Sequence, residues 1–258
     1  MSPLAELRYF FTALGYFTRV PVPRWVGYEP HYLNAAARYF PLVGVLVGAL
    51  GALVYLAALR VFPPGVAVLL SMAATLLVTG AFHEDGLADS CDAFGGGYTR
   101  EDVLRIMHDS RIGAFGAIAL MVALALKWQT LVALPPLLPL RVARTMIAAH
   151  AASRAFAIAY LRTLDYVRAE GKSKPVAQRL SWPALLCAAV LGVPWLFWAV
   201  WPQWPLAITT LVVLCVLHVA LGVYFRRRLG GYTGDCLGFA QQIFELSIYL
   251  TGLAWISF

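Results

Sequence analysis

The sequence predicts an all-α fold: a polytopic integral membrane bundle of about seven transmembrane helices, preceded by an amphipathic helix on the membrane surface. Three observations predict it. Of 258 residues, 61% are hydrophobic and only 13% charged, where a soluble domain carries charge on roughly a quarter of its residues. The mean hydropathy is +0.73. Apolar stretches of about 20 residues, the length that crosses hydrocarbon, recur along the chain between proline turns and basic loops. The same figures exclude a disordered chain. Four dispersed cysteines without a C-x-x-C pair exclude a disulfide scaffold. The excess of 20 basic over 13 acidic residues, net +7, is assigned to loops facing an anionic leaflet and not to nucleic-acid binding.

The whole chain, 1–258, reads as one membrane domain. Residues 1–34 are not a cleavable signal. Ser2-Pro3 starts a helix, in which Leu4, Leu7, Phe11 and Leu14 recur at helical spacing beside Arg8, and Arg19, Pro21 and Pro23 end it. This helix lies in the interface or packs on the bundle. The apolar stretches that follow are Tyr39–Leu59, Pro63–Phe82, Ile112–Leu134, Pro139–Leu161, Trp182–Pro202, Pro205–Phe225 and Leu237–Phe258. Phe62-Pro63-Pro64, Leu134-Pro135-Pro136 and Pro202-Gln203-Trp204-Pro205 read as tight turns between them. The fourth stretch is atypical, for it contains Arg141, Arg144, His150 and Arg154. With the N-terminus inside, segments 1–38, 83–111, 162–181 and 226–236 hold fifteen of the 20 basic residues, against Arg60 alone in the opposite loops. That bias predicts an inner, cytoplasmic membrane protein with its N-terminus and these loops in the cytoplasm.

The acids are unevenly spread. Seven of 13 lie between Glu84 and Asp109, in the acidic segment 83–111. If the second apolar helix persists into His83-Glu84-Asp85-Gly86-Leu87-Ala88-Asp89-Ser90-Cys91-Asp92, then Asp85, Asp89 and Asp92 share one face at i, i+4 and i+7. A solvated stripe would account for one such acid. Three together repel one another unless a cation sits among them, and hard oxygen ligands select Mg²⁺, Mn²⁺ or Ca²⁺ over zinc. Gly86 and Ala88 leave room for a ligand at the backbone. Glu101 and Asp102 follow Thr99 as a helix cap, whereas Asp109 is left as a ligand candidate. Gly95-Gly96-Gly97 ends the acidic helix; it either cradles phosphate or simply turns the chain.

A second polar cluster follows Arg226-Arg227-Arg228. Asp235, Gly238 and Gln242 fall on one face of the last helix, with Glu245 a turn further on. Ionisable groups within spans, Glu245 and Arg154, are functional candidates, with a structural ion pair between them as the alternative. An acid cluster beside arginines at a membrane face suits phosphate transfer, since a divalent ion neutralises a diphosphate while arginines hold its oxygens. A membrane phosphotransferase is therefore expected. A divalent cation transporter would need polar residues along several spans, which this chain lacks.

Several blocks carry a more specific resemblance: His83-x-Asp85-Gly86-Leu87-Ala88-Asp89-x-x-Asp92; Ile106-Met107-x-Asp109-Ser110-Arg111-x-Gly113; Ser153-Arg154; Gly230-Gly231-x-Thr233-Gly234-Asp235-x-Leu237-Gly238; and Phe17-Thr18-Arg19-Val20-Pro21-Val22-Pro23. In this order they resemble the cobalamin synthase (adenosylcobinamide-GDP ribazoletransferase) family over nearly the whole chain. The resemblance implies attack by a ribose hydroxyl of α-ribazole, or of its 5′-phosphate, on the phosphorus attached to adenosylcobinamide in adenosylcobinamide-GDP. GMP leaves, with Mg²⁺ required. It implies Asp85, Asp89, Asp92 and Asp109 as metal ligands, and Asp235 as a further ligand or the general base. Arg111 and Arg154 would hold phosphate, His83 would orient a carboxylate or substrate, and Ser110, Thr233, Gly234, Gln242 and Glu245 would line the substrate. Beyond the lipid bilayer, a second copy of the chain or other corrinoid-assembly enzymes are the partners it suggests. Glu84 departs from the apolar residue expected there. The Asp-Gly core is also similar to that of CDP-alcohol phosphotransferases, but their Ala-Arg step and later Gly-x-x-x-Asp-x-x-x-Asp spacing are missing.

Overall fold

A computed structural model describes residues 2–27, 29–134, 138–168 and 179–257. The Pro135-Pro136 pair of one expected turn, and Lys172 and Lys174 of one basic segment, lie outside the described residues.

Helix α1, Pro3–Phe17, begins as Ser2-Pro3 predicts: the Ser2 hydroxyl accepts from the Ala5 N–H at 3.3 Å. It buries Ala13, Leu14 and Phe17, leaves Leu4 and Leu7 exposed, and is tied down by Arg38, whose Nη2 donates to Glu6 at 2.7 Å. Helix α2, Pro30–Ala36, runs through a single 3₁₀ turn into α3, Phe40–Ala58. Together they give an apolar helix from His31 to Ala58, longer at its start than the predicted stretch. Helix α4, Pro64–Thr79, returns after the proline turn and is followed by the acidic helix α5, Phe82–Gly96. Helix α6, Arg100–Ile106, is capped by Thr99, which accepts from the Asp102 N–H at 3.1 Å as the sequence predicts.

Helices α7, Ala114–Ala133, and α8, Pro139–Ile158, come next, and α8 ends on the short turn α9, Tyr160–Thr163. Helix α10, Trp182–Gly192, is succeeded by α11, Pro194–Val200, and the two act as one apolar segment. Helix α12, Trp204–Leu229, reaches past the predicted span to carry all three arginines in its last turn. Helix α13, Gly234–Ser257, closes the chain. Among the described residues there are no named strands; one isolated bridge joins Tyr166 to Tyr232.

Helices thus occupy all seven predicted stretches, but they are not alike. Among the described residues, four segments are long and apolar enough to cross a membrane: 31–58, 114–133, 182–200 and 204–229. The bent pair α4–α5 would make a fifth. Helices α8 and α13 fall short of that test because of their polar residues, and their position explains why this is tolerated. Fourteen of the 20 residues of α8 are buried. It is packed by α3, α10, α11 and α13, while α13 also lies against α5, α7 and α12. The outer helices meet lipid instead. On α12, Ile208, Val212, Val216, Val219 and Val223 form an exposed apolar stripe at helical spacing. Trp201 and Trp204 meet at its first turn, where amphipathic rings suit a membrane interface.

Helix α3 reaches α8 closely because small residues face each other, the packing device of membrane helices. A Cβ at Gly44 would lie 2.2 Å from the His150 carbonyl oxygen. Gly44→Ala is expected to destabilise the bundle by about 1–3 kcal/mol or more, since backbone cannot yield as a side chain can. Gly252→Ala, with its nearest heavy atom 3.8 Å away, should leave thermal unfolding of the detergent-solubilised protein unchanged or slightly improved.

Candidate active site

The acidic helix does not continue α4, contrary to the sequence expectation. Gly80 and Ala81 both adopt left-handed backbone, with φ of 65° and 55°, and α5 leaves α4 at 88°. The turn costs little at Gly80 and is strained at Ala81. It is braced from α1's side, where the Arg19 N–H donates to the Val78 carbonyl at 2.7 Å. Helix α5 therefore leaves the axis of α4 and packs instead against α13 and α7. The i, i+4, i+7 relation of Asp85, Asp89 and Asp92 survives, because all three belong to this one helix.

Gly86 does not make room for a ligand. A Cβ there would lie 3.0 Å from the Asp235 carbonyl oxygen and 3.1 Å from Gly238 Cα, so the backbone of α13 fills that space. This close crossing carries Asp235 to the carboxylates of α5. The approach to Asp235 is built by the Gly230-Gly231 turn. Gly230 ends α12 with φ of 78°. Tyr232 and the segment before Arg168 then exchange backbone hydrogen bonds, Tyr232 N to Asp165 O at 2.9 Å and Val167 N to Tyr232 O at 3.0 Å. The Thr233 hydroxyl accepts from the Cys236 N–H at 3.3 Å and is fully buried. Thr233 is thus a helix cap, and Gly234 is the first residue of α13.

The face so formed contains Asp85, exposed, with Asp89 and Asp235 half-buried. Burial, followed by the neighbouring carboxylates of Asp235 and Asp85, pushes the Asp89 carboxyl up to about 7. Arg168, which the sequence did not single out, stands beside them. Its Nη2 lies 2.8 Å from Asp235 Oδ2 and donates to the Met107 carbonyl at 2.9 Å. The contact with Asp235 is an ion pair without an aligned hydrogen bond, since Oδ2 is buried and accepts none. No motif marks Arg168, because its place depends on the backbone pairing at Tyr232, which is remote in sequence.

The remaining predicted residues are placed elsewhere. Asp92 turns its carboxylate to the start of α7, accepting from the N–H groups of Gly113 and Gly116 at 2.7 and 2.8 Å. Asp109 accepts from Arg111 at 2.7 Å in an exposed loop that also contains Ser110. The hydrogen bonds from Arg111 lower the Asp109 carboxyl to about 2.

His83, Arg154, Gln242 and Glu245 are buried in the bundle, at 5%, 2%, 7% and 1% exposure, so none is presented to the open face. His83 packs its ring against Phe17 and Phe82. Both of its nitrogens lack a hydrogen-bond partner among the described residues. Glu245 pairs with Lys127 at 2.5 Å, which replaces the pairing with Arg154 considered from sequence. It also accepts from Gln241 at 2.8 Å and from the Tyr249 hydroxyl at 3.2 Å. Arg154 instead donates to the His150 carbonyl at 2.8 Å. Gln242 donates to Glu84 at 3.0 Å, linking this interior network to the acidic helix.

Among the described residues, no three His, Cys, Asp or Glu side chains converge as a ready-made metal cage. The donor set at the face still fits a hard divalent cation: Asp85, Asp89 and Asp235 supply oxygen only, Asp235 and Asp85 raise the proton affinity of Asp89, and Asp235 Oδ2 accepts no hydrogen bond. Asp92 is hydrogen-bonded to the start of α7, and Asp109 to Arg111.

A polytopic helical bundle with a carboxylate and arginine face at one end defines a membrane-embedded transferase. The comparisons specify which. A family model described as cobalamin-5-phosphate synthase matches residues 9–254. An adenosylcobinamide-GDP ribazoletransferase of Ralstonia pickettii (strain 12J) is 61% identical, over 96% of this chain and 95% of its own. Those of Ralstonia nicotianae and Shewanella frigidimarina are 58% and 46% identical, over 100% and 97% of this chain and 99% and 96% of theirs. No solved structure matches. The chain belongs to the cobalamin-5-phosphate synthase family.

Two outcomes follow from the two tiers of charge. Lys127→Met leaves Glu245 buried and unpaired, which is expected to destabilise the protein by about 3–5 kcal/mol. The double variant Lys127→Met/Glu245→Gln should recover much of that loss in thermal unfolding. At the face, an aspartate unfolds to a value near 3.9, so folded Asp89, at about 7, binds more protons between the two. Its contribution therefore favours the fold at low pH and is lost as pH rises towards about 7. In metal-free buffer the thermal midpoint of the wild type should fall relative to that of Asp89→Asn between pH 5 and pH 8, and run parallel to it above.

Proposed function

We propose that this protein joins adenosylcobinamide-GDP to α-ribazole, or to its 5′-phosphate, giving adenosylcobalamin or its 5′-phosphate and releasing GMP. It is a transferase of cobalamin biosynthesis embedded in the membrane. The observation that carries this reading is near full-length identity to proteins named for that transfer, in a chain whose acid run forms a carboxylate face at one end of the bundle.

Asp85, Asp89 and Asp235 are the residues we assign to a divalent cation, Mg²⁺, at this face. When bound, the cation neutralises the diphosphate and stabilises the charge that collects on departing GMP. The protein's own groups do the rest. The helix crossing at Gly86 and Gly238 holds two carboxylates of α5 and one of α13 in a fixed relation before substrate arrives, so little reorganisation is needed during transfer. The attacking ribose hydroxyl gives up its proton as it bonds to the phosphorus attached to cobinamide, while the bond from that phosphorus to the oxygen of GMP breaks. A carboxylate oxygen of Asp235 is the acceptor we assign to that proton. Asp109 and Arg111, on an exposed loop, are the residues we assign to the polar parts of the large substrate.

The lipid-facing stripes support a protein spanning the bilayer. The concentration of basic residues in segments adjoining the site supports an inner membrane location with this face in the cytoplasm. Purified protein in lipid nanodiscs is expected to release GMP from adenosylcobinamide-GDP only when α-ribazole or its phosphate and Mg²⁺ are present. Asp89→Asn should lower that rate by at least 100-fold without lowering the thermal midpoint, because it removes one of several repelling carboxylates. Undiminished GMP release by this variant would remove Asp89 from the metal site, and turnover insensitive to chelation would remove the metal.

A further inference from the structure

The reaction brings a diphosphate to a face lined by carboxylates, so a cation of the protein must meet it there. The arginines that sequence offers for this task are engaged or hidden. Arg154 is 2% exposed, inside the bundle. Arg111 makes a forked pair with Asp109. Arg228 caps the end of α5, donating to the Gly97 and Phe94 carbonyls at 2.6 and 3.1 Å. Arg168 differs from all three. Its Nη2 is held between Met107 O and Asp235 Oδ2, which fixes the plane of the guanidinium. The Nε and Nη1 donors have no partner among the described residues, and the side chain keeps 18% of its surface open.

We propose that Arg168 binds the diphosphate of the nucleotide-activated substrate, with Nη1 donating to a phosphate oxygen beside the Asp85, Asp89 and Asp235 face. Arginine is suited to this, because its planar head can rest one nitrogen on a carbonyl and a carboxylate while another faces a phosphate. The link to Asp235 gives the contact a second effect. Asp235 holds Arg168 in place while the site is free of substrate, and the incoming phosphate takes over part of the charge that Asp235 balances. Lysine carries its three donors on one nitrogen and lacks the planar head that separates the anchored donor from the one offered to phosphate.

This assignment rests on the function proposed above, and the test separates the two. Binding of adenosylcobinamide-GDP, of α-ribazole 5′-phosphate and of inorganic pyrophosphate is measured by calorimetry on the full chain in nanodiscs, with Mg²⁺, for wild type, Arg168→Ala and Arg168→Lys. Loss of charge-assisted hydrogen bonds is expected to weaken adenosylcobinamide-GDP and pyrophosphate by about 10- to 100-fold in Arg168→Ala, and less in Arg168→Lys. Affinity for α-ribazole 5′-phosphate should stay within about twofold, a selectivity that general loosening of the site would not produce. Wild-type affinity for the diphosphate ligands in both variants overturns the role of Arg168 and leaves the function standing. Equal weakening of all three ligands overturns it too, in favour of a purely structural role. A wild type that binds pyrophosphate but not adenosylcobinamide-GDP overturns the proposed function, and with it the substrate named here.

Discussion

The pairing of Lys127 with Glu245, deep in an apolar bundle, constrains the rest of the structure. An ion in hydrocarbon must be matched and kept from lipid. That requirement places α13, which carries Glu245, and α8, which carries His150 and Arg154, at the centre. The apolar helices α3, α7, α10–α11 and α12 then stand around them. The same demand explains why α8 is so rich in alanine: small side chains let α3 and α13 close over its polar groups. Removing water from this interior strengthens every hydrogen bond within it, and the network reaches α5 through Gln242 and Glu84.

The protein therefore separates two uses of charge. Inside, Lys127, Glu245, His150, Arg154, Gln241 and Gln242 hold four helices together. At one end, Asp85, Asp89, Asp235 and Arg168 stand where a polar substrate can reach them. Residues at the border serve to anchor the second group: Asp92 ties α5 to the start of α7, and Arg228 ties its end to α12. Their chemistry is that of ligands, but their hydrogen bonds are made with the backbone of neighbouring helices. Both contacts hold the C-terminal end of the acidic helix, and Gln242 holds its first turn through Glu84.

Much of this was legible in the sequence because membrane thickness sets a simple rule of length and apolarity. All seven stretches, the Ser2 and Thr99 caps and the helical spacing of the acids followed from local pattern. The turn at Gly80 and Ala81 did not, for it lies within an apolar run and alanine gives no warning of a left-handed backbone. Nor can spacing distinguish an aspartate aimed at solvent from one aimed at a helix N-terminus. The hydrogen bonds of Asp92 to the start of α7 are not foretold by its place in the acid run. Arg154 and Glu245 were visible as unusual charges, yet only the packing of α7 shows that Lys127 is the partner. Arg168 was illegible, since a backbone pairing between distant segments brings it to the site.

The bend after α4 also sets the place of the chemistry. Sixteen residues of α4 rise only about 24 Å, against roughly 30 Å of hydrocarbon. A helix that stops so early cannot carry the acids across the bilayer on its own axis; the bend hands them to α5, which packs against α13 and α7. A bulky amphiphilic substrate can then rest its apolar parts in the surrounding lipid while its phosphates meet the carboxylate face. Approach to the site becomes a search across a surface and no longer through the volume of the cell.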